Sequence, residues 1–297
     1  MGKNDISSKV ILITGASDGI GKQTALGLAK MNPKMIIMAC RESDKAKQAH
    51  ELICKAYTGN DTQNVVLEFL DLTDLSLIKD FVGRLASRSI KVDILINNAG
   101  VILNEKRQTK DGFEMQFGTN YLGHFLLTES LLQKAMISLN ESNPARIINL
   151  SSHAMLFGHI DFQDVQFEKR KYTGWKAYTQ SKLANVTYAN YLDRSHPGLV
   201  ANSVHPGMVR TQFAKNSGIF HILDIIFYPI FYLLSNSPAQ GAQTSIHLAS
   251  SPDITTGGKY WMNNKPFTLF SNKESEDEKI QQQLYIYSKN AVEEYLK

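Results

Sequence analysis

Val10-Ile11-Leu12-Ile13-Thr14 is an apolar, largely β-branched run, and Gly15, Gly19 and Gly21 follow it at once, leading into a helical pattern over 20–31. Strand, glycine turn and helix in that order constrain the fold more than any other stretch, because the helix must cross over to a parallel neighbour. The glycines let the backbone turn tightly and approach a pyrophosphate. The charge of such a group would meet the free amides and the positive dipole of the helix N-terminus. The spacing is G-x-x-x-G-x-G, not the commoner G-x-G-x-x-G, and its place between strand and helix makes nucleotide binding the expected role.

The same alternation continues. Strands are expected at 35–39, 65–69, 92–96, 146–150 and 259–262, with helices at 74–88, 111–139, 239–250 and 276–296. Short apolar strands alternating with helices mean parallel βαβ units in one α/β domain, whose ligands sit at the carboxyl ends of the strands. Asp71-Leu72, Asn97-Asn98-Ala99-Gly100 and Ser151-Ser152 all fall at that edge. Asn120 lies in the helical stretch among Phe117, Tyr121 and Leu122, where an asparagine costs stability unless it finds a partner. The second strand runs into Cys40-Arg41. An acidic residue there would hold a ribose 2′-hydroxyl, whereas arginine suits a 2′-phosphate, so NADP(H) is expected. Glu42 argues the other way, and Lys22 and Lys45 are equally available as phosphate partners.

Tyr178 and Lys182 stand four apart in a helical pattern over 177–194, so they share one face, one turn apart. A phenol titrates near ~10 and transfers protons poorly at neutral pH; an adjacent ammonium lowers that value and makes it a usable acid and base. The plain alternative is a solvated helix face.

The remaining composition narrows the partners. A net charge of +4 without a basic run argues against nucleic acid. Cys40 and Cys54, with no metal-type spacing, read as two reduced thiols, and the eight histidines show no paired metal spacing, so no metal is expected. Residues 1–6 run straight into the first strand; no secretory or anchor segment is expected, Gly2 reads as unmodified, and the expected location is cytoplasmic.

Taken together, Thr14-Gly15-x-x-x-Gly19-Ile20-Gly21, Asn97-Asn98-Ala99-Gly100, Asn120, Ser152, Tyr178-x-x-x-Lys182 and His205-Pro206-Gly207-Met208-Val209-Arg210-Thr211 resemble the short-chain dehydrogenase/reductases, over residues 9–262. Ala39-Cys40-Arg41, Asn149-Leu150-Ser151-Ser152-His153-Ala154 and Tyr178-Thr179-Gln180-Ser181-Lys182-Leu183-Ala184-Asn185 are most similar to the retinol dehydrogenase branch, which holds retinol dehydrogenases 11 to 14. So is the insert over 158–175.

The resemblance implies a single doubly wound Rossmann domain over 1–297, with a parallel sheet of about seven strands, an N-terminal lead at 1–8, a substrate lid at 212–237 and a C-terminal helix at 273–297. It implies hydride transfer between NADP(H) and a lipophilic carbonyl or alcohol of the retinal or lipid aldehyde type. Tyr178 would be the general acid and base, Lys182 would tune it, Ser152 rather than Ser151 would polarise the substrate oxygen, and Asn120 would position a relay water. Gly15, Ser17, Gly19, Ile20 and Gly21 would surround the pyrophosphate and Arg41 the 2′-phosphate. Asp71 and Leu72 would lie at the adenine, and Asn98, Ala99 and Gly100 beside its ribose. Tyr178, Lys182, Pro206 and Thr211 would flank the nicotinamide half. The resemblance leaves a homodimer open.

Substrate choice points to 219–234, an apolar and aromatic stretch interrupted by Asp224 and Pro229 and too short for a confident membrane span. A lid over a lipophilic pocket, a peripheral membrane contact and plain core compete for it. His153, next to Ser152, could line the pocket but is read as structural. The alternatives to the main reading are a steroid or xenobiotic carbonyl reductase, an NADP(H)-sensing interaction protein and a membrane-docking scaffold.

Overall fold

The computed structural model describes residues 5–59, 61–209 and 235–297. In chain order its main elements are β1 (Val10–Thr14), α1 (Gly19–Ala29), β2 (Met35–Cys40), α2 (Asp44–Ala56), β3 (Val65–Phe69), α3 (Leu75–Ser87), β4 (Ile94–Asn97), the single turn α4 (Met115–Phe117) and α5 (Gly123–Gln133). Then come β5 (Ala145–Leu150), α6 (Gly174–Ser195), β6 (Leu199–Val204), α7 (Pro238–Ser250), β7 (Tyr260–Met262), β8 (Lys265–Pro266) and α8 (Glu278–Ala291). The eight strands form one sheet in the order β3-β2-β1-β4-β5-β6-β7-β8. The chain steps outward from β1 through β2 to β3, then returns to β4 on the other side of β1. Where the winding direction reverses, the carboxyl ends of β1 and β4 lie side by side, the usual ligand position in an open α/β sheet.

Every residue of β1 is buried, because both faces of a parallel sheet are covered by crossover helices. Ile11 and Ile13 face the layer that includes Leu28, Ile53 and Ile246. Val10 and Leu12 face the opposite one, with Phe81, Phe125 and Leu183. That period-two division makes the fold doubly wound. Truncating one fully buried isoleucine, such as Ile13, costs about 2–5 kcal/mol.

Several sequence expectations change, and strand β6 and helix α2 were not expected at all. The helix expected over 111–139 starts late and ends early. Gly112 takes a φ of 84°, and the Glu114 carboxylate then caps α4 by accepting the Gln116 and Phe117 amides. A π turn, Gly118–Leu122, precedes α5, and Ala135 leaves helical geometry at φ 48°. The sheet gains an antiparallel eighth strand because Asn263 and Asn264, both at positive φ, make a two-residue hairpin turn joining Met262 to Lys265. The terminal helix is broken: a short turn, Lys273–Glu276, ends at Asp277, whose carboxylate caps α8, and Glu293–Leu296 follows separately. Residues 210–234, which include Thr211, the 219–234 stretch and most of the expected lid, lie outside the described residues.

Candidate active site

α6 begins at a threonine. The Thr173 hydroxyl accepts the Lys176 amide as N-cap, three residues earlier than expected, and the helix carries Tyr178 and Lys182 beneath the carboxyl end of β5. Tyr178 is 7% exposed and Lys182 3%. The Lys182 ammonium donates to the Leu150 carbonyl at 3.0 Å and stands 5.7 Å from the centroid of the Tyr178 ring. Ser152 caps a 3-10 turn, accepting the Ala154 amide at 3.2 Å, and its hydroxyl stands beside the Tyr178 phenol, where it favours the phenolate. Ser151 instead donates to the Lys182 carbonyl at 2.7 Å. The two adjacent serines thus divide between holding the helix and meeting the phenol.

The tuning of the pair differs from expectation. Burial pushes the Tyr178 phenol up to about 12, outweighing the Ser152 hydrogen bond that favours the phenolate. Burial also brings the Lys182 ammonium down to about 8. The ammonium is aimed at a backbone carbonyl rather than at the phenol oxygen, so the lowering expected from it is absent.

Asn120 sits in the π turn and is fully buried. Its Oδ1 accepts the Val101 amide at 2.7 Å, while Nδ2 donates to the Val101 carbonyl and the Ser181 hydroxyl, each at 3.0 Å. The side chain therefore ties the segment after Gly100 to α6. A Cβ added at Gly100 would lie 3.2 Å from Asn120 Oδ1 and 3.5 Å from Lys182 Nζ.

On the coenzyme side, Gly15 and Gly19 take φ values of 68° and 53°. A Cβ at Gly21 would collide with Asn98 Nδ2 and the Gly15 carbonyl. Helices α2, α3, α6, α7 and α8 each begin at a side chain that accepts an amide, namely Ser43, Asp74, Thr173, Ser237 and Asp277. At α1 the N-cap Asp18 makes no such bond. Its first-turn amides, beside glycines without side chains, fit a dinucleotide pyrophosphate.

Beneath this loop burial pushes the Cys40 thiol up to about 11, against an opposite pull from Ala16 and Ser17 of the loop. Asn98 Nδ2 donates to the Thr14 carbonyl at 2.8 Å, fixing β4 to β1. Arg41 is exposed just past β2, with no ion pair to any described residue. The nearby Lys45 is paired at 2.5 Å with Asp18. Asp71 Oδ1 accepts the Thr73 amide and hydroxyl, at 2.9 and 2.8 Å. Leu72 is buried. Ile20 and the Pro206 carbonyl both approach Gly241 of α7. Among the described residues no group of His, Cys, Asp or Glu side chains is arranged to hold a metal, and no helix is long and apolar enough to cross a membrane.

The short chain dehydrogenase family pattern matches residues 9–219. This chain belongs to the short-chain dehydrogenases. It is 42% identical over 295 residues to human (Homo sapiens) retinol dehydrogenase 13, spanning 98% of this chain and 86% of that protein. It is 43% identical over 263 residues to Mus musculus retinol dehydrogenase 12, spanning 88% of this chain and 79% of that one. Among solved structures, an uncharacterized protein from Mycobacterium paratuberculosis superposes with a TM-score of 0.75 at 28% identity, covering 98% of this chain and 96% of its own.

His124, and the pairing of His153 with His205, escaped the sequence reading of this short-chain dehydrogenase. His124 joins Thr14 to Asn120 at the centre of the molecule; its spacing of four from Asn120 was the available signal. His153, next to Ser152, stacks on His205, next to Pro206, with centroids 4.0 Å apart, and its Nδ1 lies 3.1 Å from the Tyr260 hydroxyl. Burial brings His205 down to about 3, so the stacked rings are neutral.

Proposed function

We propose that this short-chain dehydrogenase moves a hydride between NADP(H) and a lipophilic carbonyl or alcohol, of the retinal/retinol or lipid aldehyde type, with Tyr178 as general acid and base. The observation that carries the reading is the placement of the Ser152 hydroxyl beside the buried Tyr178 phenol, where it favours the phenolate, with Lys182 one turn away. When bound, the nicotinamide ring supplies or accepts the hydride. In reduction the Tyr178 phenol gives its proton to the substrate oxygen, Ser152 holds that oxygen, and Lys182, one turn away, is assigned the nicotinamide ribose. Such proton transfer is worth about 10²–10⁴-fold. In oxidation the phenolate takes the proton back. Asn120, anchored to Val101 and Ser181, holds the coenzyme side of the cleft against α6 and is assigned the relay position.

Arg41 supports NADP(H) over NAD(H): an exposed guanidinium at the end of β2 suits a 2′-phosphate. Gly15, Ser17, Gly19, Ile20 and Gly21 would hold the pyrophosphate, Asp71, Leu72, Asn98, Ala99 and Gly100 the adenosine, and Pro206 the nicotinamide. An apolar rim supports the lipophilic substrate. Trp175 packs near Tyr178, with centroids 6.5 Å apart, and near Phe157 at 6.3 Å, and Phe157 is 74% exposed. Phe267 packs on His153 at 4.8 Å, and the exposed Leu269 and Phe270 follow it. The resemblance to retinol dehydrogenases favours a retinoid within that class.

Nicotinamide absorbance tests the reading. Purified protein receives NADPH, then NADH, with all-trans-retinal, a medium-chain aldehyde or a steroid ketone. NADPH consumption with retinal or the aldehyde, abolished in Tyr178→Phe while NADPH binding survives, is the expected result. Turnover only with the steroid ketone would move the substrate to the steroid class. NADPH binding without turnover of any of the three would overturn the enzyme reading.

A further inference from the structure

Thr14 closes β1 where the phosphate loop begins. Its hydroxyl oxygen accepts two amides, from Asn98 at 2.9 Å and Ala99 at 3.0 Å. With those lone pairs used, its own proton needs an acceptor, and His124 Nε2 lies 2.8 Å away, nearer than the Ile96 carbonyl at 3.5 Å. The other ring nitrogen, Nδ1, is 3.0 Å from the Asn120 carbonyl oxygen, which can only accept. Nδ1 therefore carries the proton and Nε2 is bare, which fixes one tautomer. His124 is 3% exposed, and Thr14 and Asn120 are fully buried.

We infer that His124 is a positioning residue that couples the coenzyme turn to the π turn carrying Asn120. On its Nε2 side it orients the Thr14 hydroxyl, which holds the Asn98-Ala99 backbone. On its Nδ1 side it takes up a carbonyl in the π turn, where the regular helical ladder is interrupted. From there the Asn120 side chain reaches Val101 and Ser181, the residue before Lys182. One imidazole thus spans from the phosphate loop to the helix of the Tyr178–Lys182 pair. A donor on one edge and an acceptor on the other, at these two reaches, is what neutral histidine offers. Asparagine reproduces only the Nδ1 reach and glutamine only the Nε2 reach.

This role rests on the proposed function, and the two halves of the imidazole can be tested separately in the full-length protein. NADPH affinity is measured by fluorescence titration, kcat with the preferred aldehyde, and Tm by calorimetry. His124→Asn keeps the Asn120 bond and loses Thr14, so the NADPH Kd rises about tenfold while kcat stays within about threefold, the scale of one buried hydrogen bond. His124→Gln keeps Thr14 and loses the Asn120 carbonyl, so kcat falls about tenfold with Kd nearly unchanged. That opposite split supports the coupling. Equal changes in Kd and kcat that track Tm in both variants, or no change in either, would overturn it. Should one variant fail to fold, the other still decides between a selective and a uniform effect. Tyr178→Phe, run alongside, reports on the proposed chemistry independently, since it leaves the His124 contacts in place.

Discussion

The ammonium nitrogen of Lys182 lies 3.0 Å from the carbonyl oxygen of Leu150, the last residue of β5. Asn185 donates to the same oxygen, also at 3.0 Å. Leu150 therefore keeps a partner if the lysine is replaced, and Lys182 is the costlier member of the arrangement. Its drop from an ordinary lysine value to about 8 corresponds to a burial cost on the order of 3 kcal/mol. We expect Lys182→Met to lower kcat/KM by about 10²-fold or more while Tm holds or rises. Initial rates and calorimetry on the same preparation check both; retained turnover would remove Lys182 from the mechanism.

The Ser152 hydroxyl favours the phenolate of Tyr178. Alcohol oxidation needs that phenolate as base, so its rate climbs with pH toward the phenol's value. Ser152→Ala removes the favourable bond and is expected to move this rising limb to higher pH and to cut kcat/KM by about 10–100-fold. A pH profile of oxidation reads the direction. A limb displaced to lower pH would contradict the assignment.

Arg41 has no ion pair with a described residue, whereas Lys45 is held by Asp18. The guanidinium is thus the readier partner for a 2′-phosphate. Arg41→Ala should weaken NADPH binding by about 10–100-fold, the scale of one charge-assisted hydrogen bond, and leave NADH nearly unaffected. Titration of both nucleotides checks it; equal losses of affinity for the two would assign Arg41 to the fold rather than to coenzyme choice.

Acid should destabilise the protein through its buried imidazoles. His124 is brought down to about 4 and His205 to about 3, both by burial. Unfolded histidines take protons near pH ~6.5, so between there and the folded values the unfolded state binds more protons and stability falls as pH falls. For His124 the decrease is on the order of 3 kcal/mol by pH ~4. Thermal melts from pH 7 to 4 should show the decline, with a shallower slope in His124→Asn. An identical slope would place the acid sensitivity elsewhere.

Most of the sheet was legible because β1, β2 and β4 are apolar runs followed by glycine, asparagine or arginine turns, both local signals; β6, interrupted by Asn202 and Ser203, was not placed. Strand β3 was placed to the residue. Strand β4 slipped: Val92, expected to open it, forms only an isolated bridge to Ile137. The π turn was not legible, since nothing in Gly118-Thr119-Asn120-Tyr121-Leu122 marks an interrupted helical ladder; that depends on Thr14, 110 residues from His124, and on Val101, 19 from Asn120. The Tyr178–Lys182 pair was legible as a spacing. The direction of its tuning was not, because burial and the aim of one ammonium are tertiary facts. The choice of Ser152 over Ser151 came from the resemblance, and the geometry supplies its reason in the hydroxyl that Ser151 spends on the Lys182 carbonyl.

Tyr285 of α8 stacks flat on Tyr191 of α6 at 4.4 Å. Ser288 meets the buried hydroxyl of Tyr121 at 2.7 Å. The helix that holds Tyr178 and Lys182 is therefore closed from behind by residues made well after it. A message truncated before residue 278 would yield a chain with most of its motifs and an aromatic wall open to water, a species for chaperones and proteases. The wall behind the candidate site forms only once α8 has been made.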